Sequence, residues 1–264
     1  MKYALIAGSE SGLAKAAIDT FDSDWFLFCA DIAYRETELS LDRMNIPLDV
    51  TSNESLIHLG DVIAERTDRL DIVTCFAGIV TLGSMVELPL DTMDRIMSVN
   101  FLSQFKINNI MFPFLQKAGG RVITISSEYG VLDALPIHGY YGVSKHAVEA
   151  YSDSLRRELQ KSGVKVTAIR PGAFKTQMQG GITRQFDTLL EETKMYKRIL
   201  TLLRGLMLGE LEKAKDPSVF ADTFRKAAFS EKPRRYYRVN NSFKMKLLSA
   251  LPPSWQDFIY RIFL

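Results

Sequence analysis

Short runs of β-branched and aromatic residues alternate along the chain with longer stretches whose apolar positions recur every three or four residues. The runs are YALIA (3–7), WFLFCA (25–30), DIVTCF (71–76), RVITIS (121–126) and VKVTAIR (164–170), with a weaker one at MNIPLDV (44–50). Their apolar residues are continuous rather than alternating, which suits strands buried on both faces of a parallel sheet. Between them lie helical patterns, among them 52–68, 90–116 and 140–161. Strand–helix alternation sustained this long predicts an α/β fold, a doubly wound parallel sheet in a single domain. After Pro171 the alternation lapses. GAFKTQMQGGI (172–182) reads as a mobile loop, followed by one long helical pattern over 183–208 and another over 217–229. The pattern therefore divides into a domain over 1–240, a substrate lid within it at about 172–210, and an apolar tail at 241–264.

Composition narrows the class. A chain of 264 residues, 47% hydrophobic and 24% charged, fits one large globular domain. A net charge of +2 gives no reason to expect a nucleic-acid partner. The basic run KPRRYYR (232–238) reads as a solvated loop. Cys29 and Cys75 sit inside apolar runs, so buried free thiols in a reducing compartment are expected rather than a disulfide. MKYALIAGS is too short an apolar run for a leader, and no stretch reaches the roughly 18 apolar residues of a membrane span. The expectation is a cytoplasmic protein, and no metal site is expected.

Two ends of the predicted sheet carry candidate chemistry. At the first, AGSESGLAKAA (7–17) leads from a strand into a helix, with Gly8, Ser11, Gly12 and Leu13 in or beside the turn. Such a turn lets backbone N–H groups and a helix N-terminus approach phosphates. Asp31 ends the second strand, where a carboxylate accepts hydrogen bonds from ribose hydroxyls and repels a 2′-phosphate. Neither Ser11 nor Ile32 is basic, and Arg35 lies beyond Asp31, so NAD is favoured over NADP. Asp49 and Val50 could pin an adenine ring, and Ala77 and Gly78 offer backbone room beside a nucleotide.

At the second end, Ser126 and Ser127 follow a strand, and only one of the two can face a given site. Then comes HGYYGVSK (138–145), with two adjacent tyrosines before a lysine. Tyr141 and Lys145 lie about 40° apart around a helix axis, whereas Tyr140 and Lys145 lie about 140° apart. Geometry selects Tyr141. A neighbouring ammonium favours the phenolate and lowers its pKa from the usual value of about 10.

These residues, with SVN (98–100) and RPGAFKT (170–176), resemble the short-chain dehydrogenase/reductase family over roughly residues 2–240. The hydroxysteroid and retinol dehydrogenase-like members are the nearest in character. The resemblance implies a seven-stranded parallel sheet, a nicotinamide dinucleotide, and hydride exchange between an alcohol and a ketone. It implies Tyr141 as proton donor or acceptor, with Lys145 lowering its pKa and binding the nicotinamide ribose. Ser127 would bind the substrate oxygen, and Asn100 would hold a helix kink and a water. Pro171, Gly172 and Thr176 would hold the nicotinamide and its carboxamide. Departures from the family pattern are Ala7, Ala14 for the third glycine, Glu10 in the turn, Cys75-Phe76 for two asparagines, and one extra residue between Ser127 and Tyr141. Glu10 is expected to point to solvent.

The substrate pocket would be walled by 131–138 and an apolar lid from Phe174 to about Leu208, which suits a hydrophobic secondary alcohol or ketone of steroid, retinoid or lipid type. His138 reads as a loop histidine facing water. Two alternatives are reduction of an acyl-chain ketone, as in 3-oxoacyl reductases, and a non-catalytic NAD-sensing protein. A homodimer or homotetramer through the helices at 90–116 and 140–161 is implied by the resemblance. Pro252 and Pro253 break the tail into two short helices. The tail fits either a peripheral membrane contact or packing over the pocket or another subunit, and the packing role is preferred.

Overall fold

Alternate residues of the buried strands point into two different cores. On β1 (Lys2–Ala7), Ala4 and Ile6 join one cluster, whereas Leu5 and Ala7 join the other. On β2 (Trp25–Asp31), Trp25, Leu27 and Cys29 divide in the same way from Phe26, Phe28 and Ala30. This is the period-two consequence of a sheet covered on both faces, and it explains the unbroken apolar runs. The computed structural model describes residues 1–263, with the side chains of all but 202, 203, 206–208, 210 and 263.

The remaining strands are β3 (Glu38–Leu39), β4 (Arg43–Pro47), β5 (Ile72–Cys75), β6 (Arg121–Ile125), β7 (Lys165–Pro171) and β8 (Tyr236–Val239). Their order is β3-β4-β2-β1-β5-β6-β7-β8, all parallel except the two-residue β3 at one edge. The seven parallel strands are those the resemblance implies, and β3 is an addition. β8 corrects the reading of 232–238 as a loop: Tyr237 and Val239 are buried and pair beside Ile169 and Pro171.

Helices α1 (Gly12–Ile18) and α8 (Ser218–Phe229) cover one face; α2 (Asn53–Arg66), α4 (Ser103–Ala118) and α5 (Gly139–Glu158) cover the other. The pattern at 90–116 resolves into α3 (Asp91–Met97), a π-helical turn (Ser98–Leu102) and α4. The segment expected to be a mobile loop is helical from Gln177. There, α6 (Gln177–Glu192) and α7 (Lys197–Glu212) replace the single helix expected over 183–208. The break is held by Glu87, whose carboxylate accepts from the Thr193 hydroxyl at 2.7 Å and from the Lys194 and Met195 amides at 3.0 and 2.9 Å. The tail forms α9 (Phe243–Ser249) and α10 (Pro253–Phe263), divided at the two prolines. No described helix is long and apolar enough to cross a membrane. Cys29 and Cys75 are free and buried, and burial pushes the Cys29 thiol up to about 11.

Candidate active site

β1 pairs with β2 on one side and β5 on the other, so the strand order reverses at β1 and opens a crevice at the strand carboxyl ends. The two loops leaving β1 and β5 meet there. Gly8 has φ +71°, and a Cβ on it would lie 2.4 Å from the Ala77 amide nitrogen, so only glycine permits the approach. Ser11 caps α1, its hydroxyl accepting from the Ala14 amide at 3.2 Å. Ala14 itself is fully buried, so its methyl is absorbed by the core beside Leu13. The side chain of Thr176 lies over Gly12, where a Cβ would come within 2.9 Å of its methyl. The turn is therefore a backbone cradle at a helix N-terminus, which fits a pyrophosphate.

Asp31 braces this turn. Its carboxylate accepts from the Glu10 amide and the Ala33 amide, both at 2.9 Å, which leaves further lone pairs free. Glu10 does not simply face solvent. It ion-pairs with Lys15 at 2.7 Å and accepts from the Tyr34 hydroxyl at 2.9 Å, and Lys15 with Tyr34 holds its carboxyl below the usual range. Two carboxylates thus stand at the end of β2. Asp49 is exposed and accepts from the Thr51 amide and hydroxyl at 2.8 and 2.6 Å, with Val50 half-buried beside it.

The chemistry end is assembled behind Gly78. A Cβ there would lie 3.6 Å from Asn100 Oδ1 and 3.9 Å from Lys145 Nζ. Asn100 is fully buried in the π-helical turn and clasps the β5 loop. Its Oδ1 accepts from the Ile79 amide at 2.8 Å, and its Nδ2 donates to the Ile79 carbonyl and the Ser144 hydroxyl, both at 2.9 Å. The kink expected at Asn100 is this π turn, and the Asn100 carbonyl accepts from Gln104 Nε2 at 2.9 Å. Gln104 also accepts from the Ile125 amide at 3.1 Å, while Lys145 donates to the Ile125 carbonyl at 3.1 Å. Gln104 and Ser144 are positioning residues the sequence reading missed. Each carries a helical-spacing signal, Gln104 four residues after Asn100 and Ser144 three after Tyr141.

Tyr141 rather than Tyr140 faces this group. The Ser127 hydroxyl stands beside its phenol, and Lys145 Nζ lies 5.7 Å from its ring centroid. Tyr140 is buried, 4% exposed. The extra residue before Tyr141 belongs to the loop preceding α5, which turns at Ile137 with φ +68°. Burial raises the Tyr141 pKa, and the Ser127 hydroxyl beside it only partly opposes the rise. That differs from the lowering expected of the lysine: Tyr141 is half-buried, and the desolvation of its phenol disfavours the phenolate. Burial also pulls Lys145 down to about 8. Ser127 reaches the Pro171 carbonyl at 3.5 Å, which places β7 beside it. Ser126 points elsewhere, its hydroxyl buried without a partner. A Cβ on Gly172 would collide with the Asn240 carbonyl, so this glycine is required by packing against the end of β8.

Around these groups the walls are apolar or aromatic. Tyr129 stacks on His138 at 5.3 Å and meets the Tyr141 ring edge-on at 5.9 Å. His138 does not face water freely: burial lowers its pKa. Leu82, Ile137, Phe186, Leu189, Ile199 and Leu200 form a third apolar cluster, separate from both sheet faces. Phe174, expected in the lid, belongs to the main core against Phe220. Met178 and Met195 are exposed, and the side chains of Leu202, Leu203, Met207 and Leu208 lie outside the described residues.

The short chain dehydrogenase profile matches residues 2–187. The chain belongs to the short-chain dehydrogenase/reductase family. Rat retinol dehydrogenase 7 is 30% identical over 284 aligned positions, covering 98% of this chain and 87% of that one. Human 17-beta-hydroxysteroid dehydrogenase type 6 is 29% identical over 280 positions, with coverage of 98% and 87%. Among solved structures, a short chain dehydrogenase of Burkholderia cenocepacia in complex with NADP superposes with a TM-score of 0.70 at 16% identity, over 100% of both chains. This short-chain dehydrogenase/reductase is an oxidoreductase of the hydroxysteroid/retinol dehydrogenase-like kind, and its family binds a nicotinamide cofactor. Among the described residues no cluster could hold a metal ion.

Proposed function

We propose that this enzyme exchanges a hydride between NAD(H) and a hydrophobic secondary alcohol or ketone of hydroxysteroid, retinoid or lipid type. The observation that carries the reading is the gathering of Ser127, Tyr141 and Lys145 at one place, with the Lys145 ammonium 5.7 Å from the Tyr141 ring and the Tyr129 ring edge-on to it at 5.9 Å. A bound nicotinamide supplies the hydride acceptor or donor. Gly8, Ser11, Gly12 and Leu13 would hold its pyrophosphate side, Asp31 its adenosine ribose, and Asp49 and Val50 its adenine. Ala77, Gly78, Pro171, Gly172 and Thr176 would border the rest.

The chain's own groups then move the proton. Ser127 donates to the substrate oxygen and holds it against the Tyr141 phenol. Tyr141 gives its proton to the oxygen in ketone reduction and takes it back in alcohol oxidation. Its raised pKa keeps it protonated at neutral pH, which suits the donor role. Lys145, tied to the Ile125 carbonyl, presents its ammonium toward the phenol and the ribose site. NAD rather than NADP is supported by Asp31, whose carboxylate beside the ribose site opposes a 2′-phosphate, whereas the Glu10 charge is offset by Lys15. Buried, unreactive Cys29 and Cys75 accord with a cytoplasmic setting. Phe105 on α4 and Val143 on α5, each 43% exposed, offer a face for a homodimer or homotetramer. Measuring NADH formation over a panel of hydroxysteroids, retinol and secondary alcohols tests the proposal. Turnover with at least one apolar alcohol is expected; tight NAD binding without any turnover would refute it.

A further inference from the structure

Each of the two tail helices leaves an apolar stripe uncovered. On α10, Trp255, Phe258 and Ile262 share one stripe by their spacing of three and four, yet they are 65%, 63% and 59% exposed. The one described α10 residue that is fully buried is polar, with Ile259 and Tyr260 half-buried. Gln256 is 5% exposed, and its Nε2 donates to Asp133 Oδ2 at 2.6 Å and to the Leu251 carbonyl at 2.9 Å. On α9 the arrangement repeats. Phe243 and Leu247, four apart, are exposed, whereas the Ser249 hydroxyl accepts from the Asp133 amide at 3.1 Å. The Ser242 amide, at the α9 cap, donates to Glu128 Oε2 at 2.7 Å. The tail is therefore tied by polar contacts to the loop that follows Ser127, with Met245, Leu248, Ile259 and Tyr260 half-buried, and each helix keeps a further apolar stripe facing outward.

Charge identifies what could cover that face. Lys244 and Lys246 are exposed and flank the Phe243–Leu247 stripe, one on each side, and Arg261 is exposed beside the α10 stripe. Three cations stand against one exposed carboxylate, Asp257. A two-fold dimer built on this face would bring three cations from each copy together with only one carboxylate, Asp257, from each to offset them. A lipid surface with anionic headgroups satisfies both the stripe and the cations. We infer that α9 and α10 dock this enzyme on an anionic lipid surface, with Trp255, Phe258, Ile262, Phe243 and Leu247 in the headgroup–acyl boundary. Docking through these helices holds the Glu128–Asp133 loop, and with it the mouth of the Ser127–Tyr141 site, at the bilayer. The inference stands on the tail alone and does not depend on the proposed substrate.

The full chain tests it by flotation with phosphatidylcholine vesicles, with and without phosphatidylserine. Quenching by brominated acyl chains gives a second readout. Trp255 should be quenched, whereas Trp25, 7% exposed in the core, should not. Flotation with the phosphatidylserine vesicles is expected. The combined substitution Trp255→Ser, Phe258→Ser, Ile262→Ser should weaken it at least about tenfold. Lys244→Glu with Lys246→Glu should weaken binding to the anionic vesicles more than to neutral ones. All five positions are exposed, so far-ultraviolet dichroism of the variants should match the parent. Failure of the full chain to float with either vesicle would overturn the inference. So would flotation unchanged by the triple substitution. A fall from dimer to monomer mass in the triple variant, without vesicle binding by the parent, would assign the face to a second copy instead.

Discussion

Tyr141 and Tyr140 differ by one position and by everything that surrounds them. Tyr141 stands beside Ser127 and shares a helix face with Lys145; Tyr140 is buried among packing neighbours. Removing a general acid typically costs about 10²–10⁴ in rate, so Tyr141→Phe should lower kcat by at least about that much while NAD affinity is kept. Tyr140→Phe should leave kcat largely intact, and an exchange of the two phenotypes in steady-state kinetics would reverse the assignment. Lys145 adds a pH signature. Its folded value of about 8 lies below the ordinary 10.5, so above about 8 the ammonium is lost from the site. Ketone reduction measured as kcat/KM should therefore decline as pH rises through about 8. Unfolding does not explain such a decline. Between about 8 and 10 the unfolded chain binds more protons at this lysine than the folded one, so the Lys145 contribution to stability rises with pH there. A reduction profile flat across that window would mean that the Lys145 charge is not used.

At the scale of elements, the strands were legible because burial on both faces leaves an unbroken apolar run, and each predicted run became a strand. β8 was not legible, since an edge strand buries only alternate residues: Tyr237 and Val239 face in while Arg238 and Tyr236 are exposed. The break between α6 and α7 was equally hidden, because the group that makes it, Glu87, lies more than a hundred positions away in the chain. The turn after β1 and the Tyr141–Lys145 spacing could be read locally, as they depend on neighbours a few residues apart. The partners of Asn100 could not, since Ile79 and Ser144 come to it only through the fold. α5 is tied to β7 by Glu149 and Arg170, which form two hydrogen bonds at 2.8 and 2.7 Å with little exposure on either side. Glu149→Leu would leave a buried guanidinium unpaired. Thermal or urea unfolding should show a loss of about 3 kcal/mol; a loss below about 1 would mean that solvent reaches the pair.

Over the whole molecule, one reversal of strand order gathers both ends of the chemistry. Gly8 after β1, Ala77 and Gly78 after β5, Ser127 after β6 and Pro171 on β7 all lie on one edge of the sheet. At that edge Asp31 both braces the turn and reads the ribose in the proposed function. Asp31→Ala should therefore raise the kcat/KM ratio of NADP to NAD by at least about tenfold, with some loss of turn stability. An unchanged ratio would mean that Asp31 does not read the ribose.

The central claim is tested most directly by NADH appearance when the enzyme is mixed with NAD and apolar secondary alcohols, run beside the Tyr141→Phe variant, with NAD binding of both followed by calorimetry. The account predicts turnover by the parent and its loss in the variant, with NAD bound by both. NAD binding by both and turnover by neither would contradict it.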